Sequence, residues 1–121
     1  MSQFVESERK YKTHEGEDVY SKGELMIANY LHKHGIDYHY EPVRYIDRRK
    51  WVPDFHLWKD DVYIEYLGMA GDETYDRLTK VKMGHYYSAG YKVIYIYPSE
   101  IGRVGNALNY KFKRLTERDL L

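Results

Sequence analysis

The sequence lacks cysteine altogether, so its 121 residues offer neither a disulfide nor a thiolate ligand for zinc. It also lacks a run of about 18 apolar residues and the pattern of a secretory signal, which predicts a soluble, cytoplasmic protein with no membrane partner. An excess of charge of either sign is missing too, because 19 basic and 19 acidic residues give a formal net charge of zero. Any nucleic acid would therefore have to be bound by a local basic patch.

Phenylalanine is scarce, with three residues, whereas tyrosine is abundant, with 15. The favoured interpretation is that tyrosine replaces Phe and Leu on half-buried strands and helices. The alternative is a set of platforms on which bases stack. The length favours one domain. Residues 1–20 are polar and charged without a hydrophobic period, which predicts an N-terminal arm and leaves residues 21–121 as a single domain.

A first helix is predicted over residues 21–35, with Ser21 as its N-cap and Gly35 as the glycine that follows the last turn. Its inward face consists of residues spaced i, i+3, i+4 and i+7, namely Glu24, Ile27, Ala28 and Leu31. The acid on this face has two interpretations. Glu24 forms a capping box with Ser21, which is favoured, or it overhangs a metal site from the end of the helix.

The remaining sequence predicts alternating strands and helices. We expect a strand over 36–45 that Pro42 ends or confines to a sheet edge, followed by a basic loop over 44–50. A second helix is expected from Asp72 or Thr74 to residue 89 or 90. After it we expect a central strand over 91–97, parallel to one over 61–67, and a short strand or helix within 99–121. The second helix carries one stripe, formed by Tyr75, Leu78, Lys82, Tyr86 and Ala89. Its tyrosines are expected to pack rather than to contact DNA.

Residues 52–68 predict the β-hairpin around which the chain is organised. With the turn at residues 58–61, the opposed pairs are Leu57 and Val62, His56 and Tyr63, Phe55 and Ile64, and Asp54 and Glu65. Opposed Cβ atoms lie about 4.5–5.5 Å apart, so the carboxylates of Asp54 and Glu65 would repel each other. A hard cation such as Mg²⁺ between them would turn this repulsion into a binding site.

The sequence motif of this hairpin resembles that of a known family. P-D-F at residues 53–55 is followed eleven residues later by I-E-Y at residues 64–66, as in the PD-(D/E)XK nuclease superfamily. The chain is also similar to small nuclease modules found near superfamily 1 helicases, to mismatch-nicking endonucleases and to phage junction-resolving enzymes. The resemblance covers roughly residues 21–98. It implies an α/β fold with a restriction-endonuclease-like αβββαβ core, in which a mixed sheet is flanked by helices.

The resemblance also implies an activity and its residues. The activity is that of a Mg²⁺-dependent endodeoxyribonuclease, for which Mn²⁺ would be a substitute metal. It would hydrolyse phosphodiester bonds in DNA repair, recombination or restriction. A DNA junction is one candidate substrate. Asp54 and Glu65 would bind the metal together with the backbone carbonyl of Tyr66, and Glu24 would complete the site. The family's lysine position is occupied by Leu67. Lys82, on the inward stripe of the second helix, is chosen as the replacement, with Lys80 as second choice.

The expected partner is DNA, for which Arg48, Arg49 and Lys50 would contact phosphates; a solvated turn is an equally weighted interpretation of these three residues. Symmetric cutting would require a homodimer, and a helicase or other DNA-processing protein would be a further partner. The alternative function, motivated by Leu67, is an inactive nuclease fold that serves as a DNA-binding or assembly module. A metal or interaction site at His32 and His34, or at His39 and His56, is disfavoured; the first pair points apart on a helix.

Overall fold

The computed structural model describes residues 11–13 and 16–121 as an α/β structure in which a mixed sheet is flanked by helices. In chain order the elements are β1 (Tyr11–Lys12), β2 (Asp18–Val19), α1 (Lys22–Lys33), β3 (His39–Tyr40), β4 (Arg44–Ile46), β5 (Arg49–Trp51), β6 (Phe55–Leu57), β7 (Val62–Tyr66), α2 (Glu73–Ser88), β8 (Lys92–Ile96), a 3-10 helix (Pro98–Arg103) and α3 (Val104–Thr116). No helix in the described ranges has the length and apolar character needed to cross a bilayer.

More than half of the predicted N-terminal arm, residues 1–10 and 14–15, lies outside the described residues. Within the described part, strands β1 and β2 pair antiparallel, with Tyr11 opposite Val19. Part of the predicted arm is therefore a two-stranded ribbon.

Helix α1 begins and ends as the sequence predicts. The hydroxyl oxygen of Ser21 accepts a hydrogen bond from the amide of Glu24 at 3.1 Å, as an N-cap does. Gly35 follows the last turn with a φ of 67°, a left-handed conformation that glycine adopts without strain. The predicted inward face is buried in full.

The main sheet has the strand order β3–β6–β7–β8. Strands β6 and β7 are antiparallel in the predicted register, with Phe55 opposite Ile64, His56 opposite Tyr63 and Leu57 opposite Val62. Strand β8 is parallel to β7, which confirms the predicted crossover through α2. Its predicted central position is wrong, because β8 lies at the sheet edge. Its apolar sequence reflects the packing of α2 and α3 against it rather than strands on both sides.

The stretch before the hairpin differs from the prediction. The expected strand over 36–45 is reduced to β3, because Glu41 adopts a left-handed conformation (φ 53°) and Pro42 follows. The expected basic loop over 44–50 is an antiparallel hairpin of β4 and β5. Its two turn residues, Asp47 and Arg48, have φ values of 51° and 65°. Such a turn usually contains glycine, so its sequence signal is absent here.

The C-terminal region is helical, which is one of the two predicted alternatives. Val104, Leu108 and Phe112 are buried on α3, whereas Tyr110 is exposed. The spacing of the three buried residues is i, i+4 and i+8, as expected for one face of a helix.

The two faces of the sheet bury separate clusters. Helices α1 and α3 cover one face, where Phe55 and Ile64 lie. Helix α2 and the β4–β5 hairpin cover the other face, where Trp51 and Tyr86 are buried. Because side chains alternate along a strand, Glu65, the neighbour of Ile64, faces α2.

Candidate active site

Two carboxylates lie at the junction of β6 and β7. Glu65 is part of β7, and Asp54 directly precedes β6, at the position that continues the register opposite Glu65. Both residues have 0 % of their surface exposed. The structure thus brings together the two acids that the sequence singles out, away from bulk water.

The carboxylate of Glu65 is held by two side chains of α2. Lys82 Nζ lies 3.3 Å from Glu65 Oε1, and the Tyr86 hydroxyl donates to Glu65 Oε2 at 2.8 Å. Lys82 and Tyr86 are four residues apart and therefore neighbours on one helix face. Lys82 is buried and Lys80 is exposed. Of the two lysines considered, Lys82 is the one that contacts an acid of the cluster.

Asp54 is oriented by the backbone of the facing strand. Its Oδ2 accepts a hydrogen bond from the amide of Tyr66 at 2.7 Å. The structure therefore links Asp54 to the amide of Tyr66, whereas the carbonyl of that residue is the predicted metal ligand. The Tyr66 ring packs against Gly23, so closely that a Cβ there would lie 2.1 Å from a ring atom.

The third acid, Glu24, reaches the cluster from the first turn of α1 and is 1 % exposed. One half of the predicted capping box is present, namely the bond from the Glu24 amide to Ser21. The carboxylate itself is engaged elsewhere: Glu24 Oε1 accepts a hydrogen bond from the hydroxyl of Tyr40 at 2.5 Å. Tyr40, on β3, is a site residue that the sequence interpretation missed; its place in an alternating strand gave no sign of a partner 16 residues away.

Burial and mutual repulsion govern the ionisation of the acids. Burial raises the pKa of Asp54 to about 8, and the charges of Glu65 and Glu24 act in the same direction. Burial likewise raises the pKa of Glu24, partly offset by the Tyr40 hydrogen bond. Burial also opposes ionisation of Glu65, but the pKa of this group lies below its ordinary value, and the charge of Lys82 and the hydrogen bond from Tyr86 favour its carboxylate. The mutual repulsion of these buried acids favours uptake of a proton or a cation.

Tyr75, in the first turn of α2, has a hydroxyl group that is buried and forms no well-oriented hydrogen bond, although Thr79 lies near it one turn further on. Burial raises the pKa of Tyr75, and so do the charges of Asp54, Glu65 and Glu24. The charges of the three acids thus form part of the electrostatic environment of this hydroxyl group.

The inward stripe of α2 differs from the prediction at two positions. Leu78 is 64 % exposed and Ala89 is exposed as well. The buried residues of the helix are Thr79, Lys82 and Tyr86. The face is thus more polar than expected, because it packs against the carboxylates rather than against an apolar core.

The basic residues Arg48, Arg49 and Lys50 lie on the turn and second strand of the β4–β5 hairpin, where they are exposed. Trp51, at the end of β5, packs on Tyr86 with ring centroids 5.9 Å apart. Because Tyr86 binds Glu65, the hairpin is one side chain removed from the acid cluster. The sequence does not predict the contact through Trp51, because this contact depends on a hairpin whose turn has no sequence signal.

Of the two histidine pairs considered as a metal or interaction site, His39 and His56 face each other in the sheet. His39 and His56 are opposed on β3 and β6, with ring centroids 6.5 Å apart. The two nitrogens of His56 contact Arg44 at 3.0 Å and Asp61 at 2.9 Å. The ring of His56 is thereby engaged in holding the β4–β5 hairpin and the β6–β7 turn.

Comparison of the chain with protein-family models, curated proteins and solved structures found no match. The class defined by the fold is a mixed α/β protein with helices on both faces of its sheet. Its candidate site is a buried cluster of three carboxylates, one lysine and three tyrosine hydroxyls.

Proposed function

We propose that this chain is a Mg²⁺-dependent endonuclease that hydrolyses phosphodiester bonds of DNA in repair, recombination or restriction. The observation that carries the proposal is the burial of three acids, Glu24, Asp54 and Glu65, in a cluster where the charges of Glu65 and Glu24 add to burial in raising the pKa of Asp54 to about 8. Like charges gathered in a buried site disfavour ionisation, and a cation favours it. A divalent cation would offset the repulsion between the carboxylates and would equip the site for phosphodiester hydrolysis.

The donor atoms suit Mg²⁺, which prefers carboxylate and carbonyl oxygens. Asp54 and Glu65 would hold the ion, with the backbone carbonyl of Tyr66 as a further ligand, and Mn²⁺ would substitute. Over residues 11–13 and 16–121, no three His, Cys, Asp or Glu side chains already converge as ligands of one ion. The carboxylates would therefore have to adjust their rotamers when the ion binds.

Each residue of the cluster has a distinct role in this proposal. When bound, Mg²⁺ would lower the pKa of a water molecule and neutralise charge on the phosphate. Lys82 would stabilise the negative charge that develops on the phosphate oxygens, because its ammonium group is already held in a site shielded from water. The Tyr66 amide keeps Asp54 in one orientation, and Tyr40 does the same for Glu24, which would hold a ligand water.

The order of elements supports the proposal. Helix α1, strands β3, β6 and β7, helix α2 and strand β8 follow one another as expected for a restriction-endonuclease-like αβββαβ core, with the β4–β5 hairpin inserted. Arg48, Arg49 and Lys50 would bind DNA phosphates beside this core. Symmetric cutting would require a homodimer, and a helicase or another DNA-processing protein would supply the substrate.

A second candidate function is an inactive nuclease fold that binds DNA or assembles with other proteins. The observation in its favour is Leu67, which occupies the position of the family's lysine and is buried. In this alternative, the contact of Lys82 with Glu65 neutralises part of a remnant acid cluster and serves stability alone.

Nicking of supercoiled plasmid by the purified full chain tests the proposal. We expect nicking that requires Mg²⁺ or Mn²⁺ and is abolished by EDTA, by Asp54→Asn and by Glu65→Gln. Glu100→Gln is the matched control, because Glu100 lies in the 3-10 helix and pairs with Lys111. Nicking that persists in the Asp54 and Glu65 variants would reject the proposal.

Cation binding gives a second readout that does not depend on turnover. A ligand that binds only the folded state raises the melting temperature, and the rise grows with the logarithm of the ligand concentration above the dissociation constant. We expect Mn²⁺ to raise the melting temperature of the wild-type chain and of Glu100→Gln, but not of Asp54→Asn. Absence of both the Mn²⁺ shift and nicking would favour the inactive module.

A further inference from the structure

The β4–β5 hairpin has one anchored face and one open face. On the anchored face, Arg44 donates to the Tyr63 hydroxyl at 2.7 Å and contacts His56 Nδ1 at 3.0 Å. Ile46 and Trp51 are buried on the same face. The hairpin is therefore fixed to the sheet beside the acid cluster, and its open face is the one turned away from these contacts.

The open face presents an aromatic ring beside a cation. Tyr45 and Lys50 are opposed in the β4–β5 register, and Tyr45 is 70 % exposed. Packing inside the protein does not account for this ring, because the neighbouring positions supply the contacts with the core. Residues 44–50 carry four cationic side chains and one acid, Asp47, a formal charge of +3 in a chain of zero net charge.

The turn between the two strands has a strained backbone, and it carries a cationic residue at a position where glycine would make the protein more stable. Arg48 has a φ of 65°, in the left-handed region that costs a side chain about 1 kcal/mol or more relative to glycine. Glycine is the residue that such a two-residue turn prefers. The hairpin thus carries a guanidinium group at its tip where glycine would be more stable.

We propose that the open face of this hairpin binds unpaired nucleotides of DNA, with Tyr45 stacked on a base and Arg48 and Lys50 on the flanking phosphates. The inference rests on the proposed function, because it names the substrate class of the same site: DNA with a single-stranded segment, such as a fork or flap. Stacking requires an open base face, which a continuous duplex does not offer. The anchoring of Trp51 on Tyr86 places this surface next to the candidate site.

The test is fluorescence anisotropy of the full chain, in EDTA so that no cleavage occurs, with a labelled 20-nucleotide oligothymidylate and a blunt duplex of equal length. We expect the single strand to bind more tightly than the duplex. Tyr45→Ala should weaken single-strand binding by about 5- to 100-fold, the range for loss of one stacked base, with little change on the duplex. Tyr45→Phe should bind within about twofold of wild type, since the ring is retained.

The control is Tyr110→Ala, which removes a tyrosine of similar exposure, 62 %, that also lies beside an arginine, Arg114, but on α3. It should leave both affinities unchanged. Arg48→Gly should raise the melting temperature by relieving the turn and should flatten the salt dependence of single-strand binding by about one phosphate contact. Equal single-strand binding by wild type and Tyr45→Ala, or an equal loss on the duplex, would overturn the proposal.

The two proposals fail in different ways. Binding that depends on Tyr45 without any metal-dependent nicking would overturn the endonuclease and keep the hairpin surface. Nicking that depends on Asp54, together with single-strand binding that Tyr45→Ala leaves unchanged, would keep the endonuclease and overturn the hairpin surface.

Discussion

Lys82 Nζ and Glu65 Oε1 lie 3.3 Å apart, with side-chain exposures of 10 % and 0 %. The two residues belong to α2 and β7 and are 17 positions apart in the chain. Their contact joins the helix to the central strand at the point where the carboxylates gather. Since breaking a buried ion pair is strongly unfavourable, this pair, together with the hydrogen bond from Tyr86 to Glu65, holds α2 on the sheet.

Removal of the lysine should therefore affect both stability and activity. Lys82→Met removes the ammonium group that contacts the buried carboxylate of Glu65, and we expect a loss of about 3 kcal/mol in the free energy of unfolding, measured with urea. Plasmid nicking should fall by about 100-fold or more, because the phosphate loses a fixed charge. Lys80→Met is the control and should change neither quantity, since Lys80 is exposed. Wild-type nicking by Lys82→Met would show that this lysine has no part in catalysis.

The Tyr86 hydroxyl should be a stabilising group. It donates to Glu65 at 2.8 Å in a buried setting, and hydrogen bonds to charged groups contribute about 1.5–3 kcal/mol. Tyr86→Phe should therefore lower the free energy of unfolding by about that amount in urea titrations. The neighbouring Tyr87→Phe, on an 86 % exposed ring, should be neutral. Equal stabilities of the two variants would contradict the assigned hydrogen bond.

Tyr75→Phe should have the opposite effect on the free energy of unfolding. The Tyr75 hydroxyl is buried without a well-oriented hydrogen bond, and such a group is unfavourable in the folded state. We expect Tyr75→Phe to unfold at an equal or higher urea concentration than wild type. Because the charges of the acids act on this hydroxyl group, nicking should decrease although stability does not. A clear loss of stability would show that the hydroxyl has a strong partner.

The hairpin and its register were predictable because local signals agree. The alternation on both arms and the four-residue turn at 58–61 leave one pairing that packs Phe55 and Ile64 on the same face, and a shift by one residue would place them on opposite faces of the sheet. This register placed Asp54 opposite Glu65 without knowledge of the tertiary structure. The cap at Ser21 and the glycine at 35 are equally local, and both were predicted correctly.

The features that sequence reasoning missed depend on distant contacts or on strained backbone. Tyr40 and Tyr86 are recognisable as site residues only once β3 and α2 are placed beside the acids. The β4–β5 hairpin turns at Asp47 and Arg48, which adopt left-handed conformations without glycine. The position of β8 at the edge follows from strand order, which its apolar side chains do not encode.

The contact between Gly23 and Tyr66 should control how α1 presents Glu24. A Cβ at residue 23 would lie 2.1 Å from a Tyr66 ring atom, so either the helix or the ring must move. We expect Gly23→Ala to lower the free energy of unfolding by about 1–3 kcal/mol, as overpacking does, and to reduce nicking. Gly84→Ala is the control: it meets nothing within 4 Å inside α2 and should stabilise the helix by about 0.5–1 kcal/mol. An equal gain in both variants would mean that Tyr66 does not restrain the helix.

The raised pKa of Asp54 predicts how stability and cation binding change with pH. The carboxyl releases its proton near its ordinary pKa of 3.8 in the unfolded chain, but at about 8 in the folded one. Between these values the folded chain binds more protons than the unfolded chain, so stability should fall as pH rises, by at most about 1.4 kcal/mol per pH unit. The lowered pKa of Glu65 acts mainly below its ordinary value of 4.5 and adds little slope between pH 5 and 8, whereas the raised pKa of Glu24 adds slope of the same sign as Asp54.

Urea titrations without metal between pH 5 and 8 measure this slope. Asp54→Asn should reduce it and leave the smaller part that belongs to Glu24, whereas Glu100→Gln should retain the full slope. Because Mg²⁺ and the proton compete for the same carboxylate, Mg²⁺ affinity and nicking by the wild-type chain should rise with pH up to about 8. Identical slopes in the wild-type chain and Asp54→Asn would mean that Asp54 is already ionised at pH 5. Its burial with Glu24 and Glu65 would then not hold the proton that a cation is expected to displace.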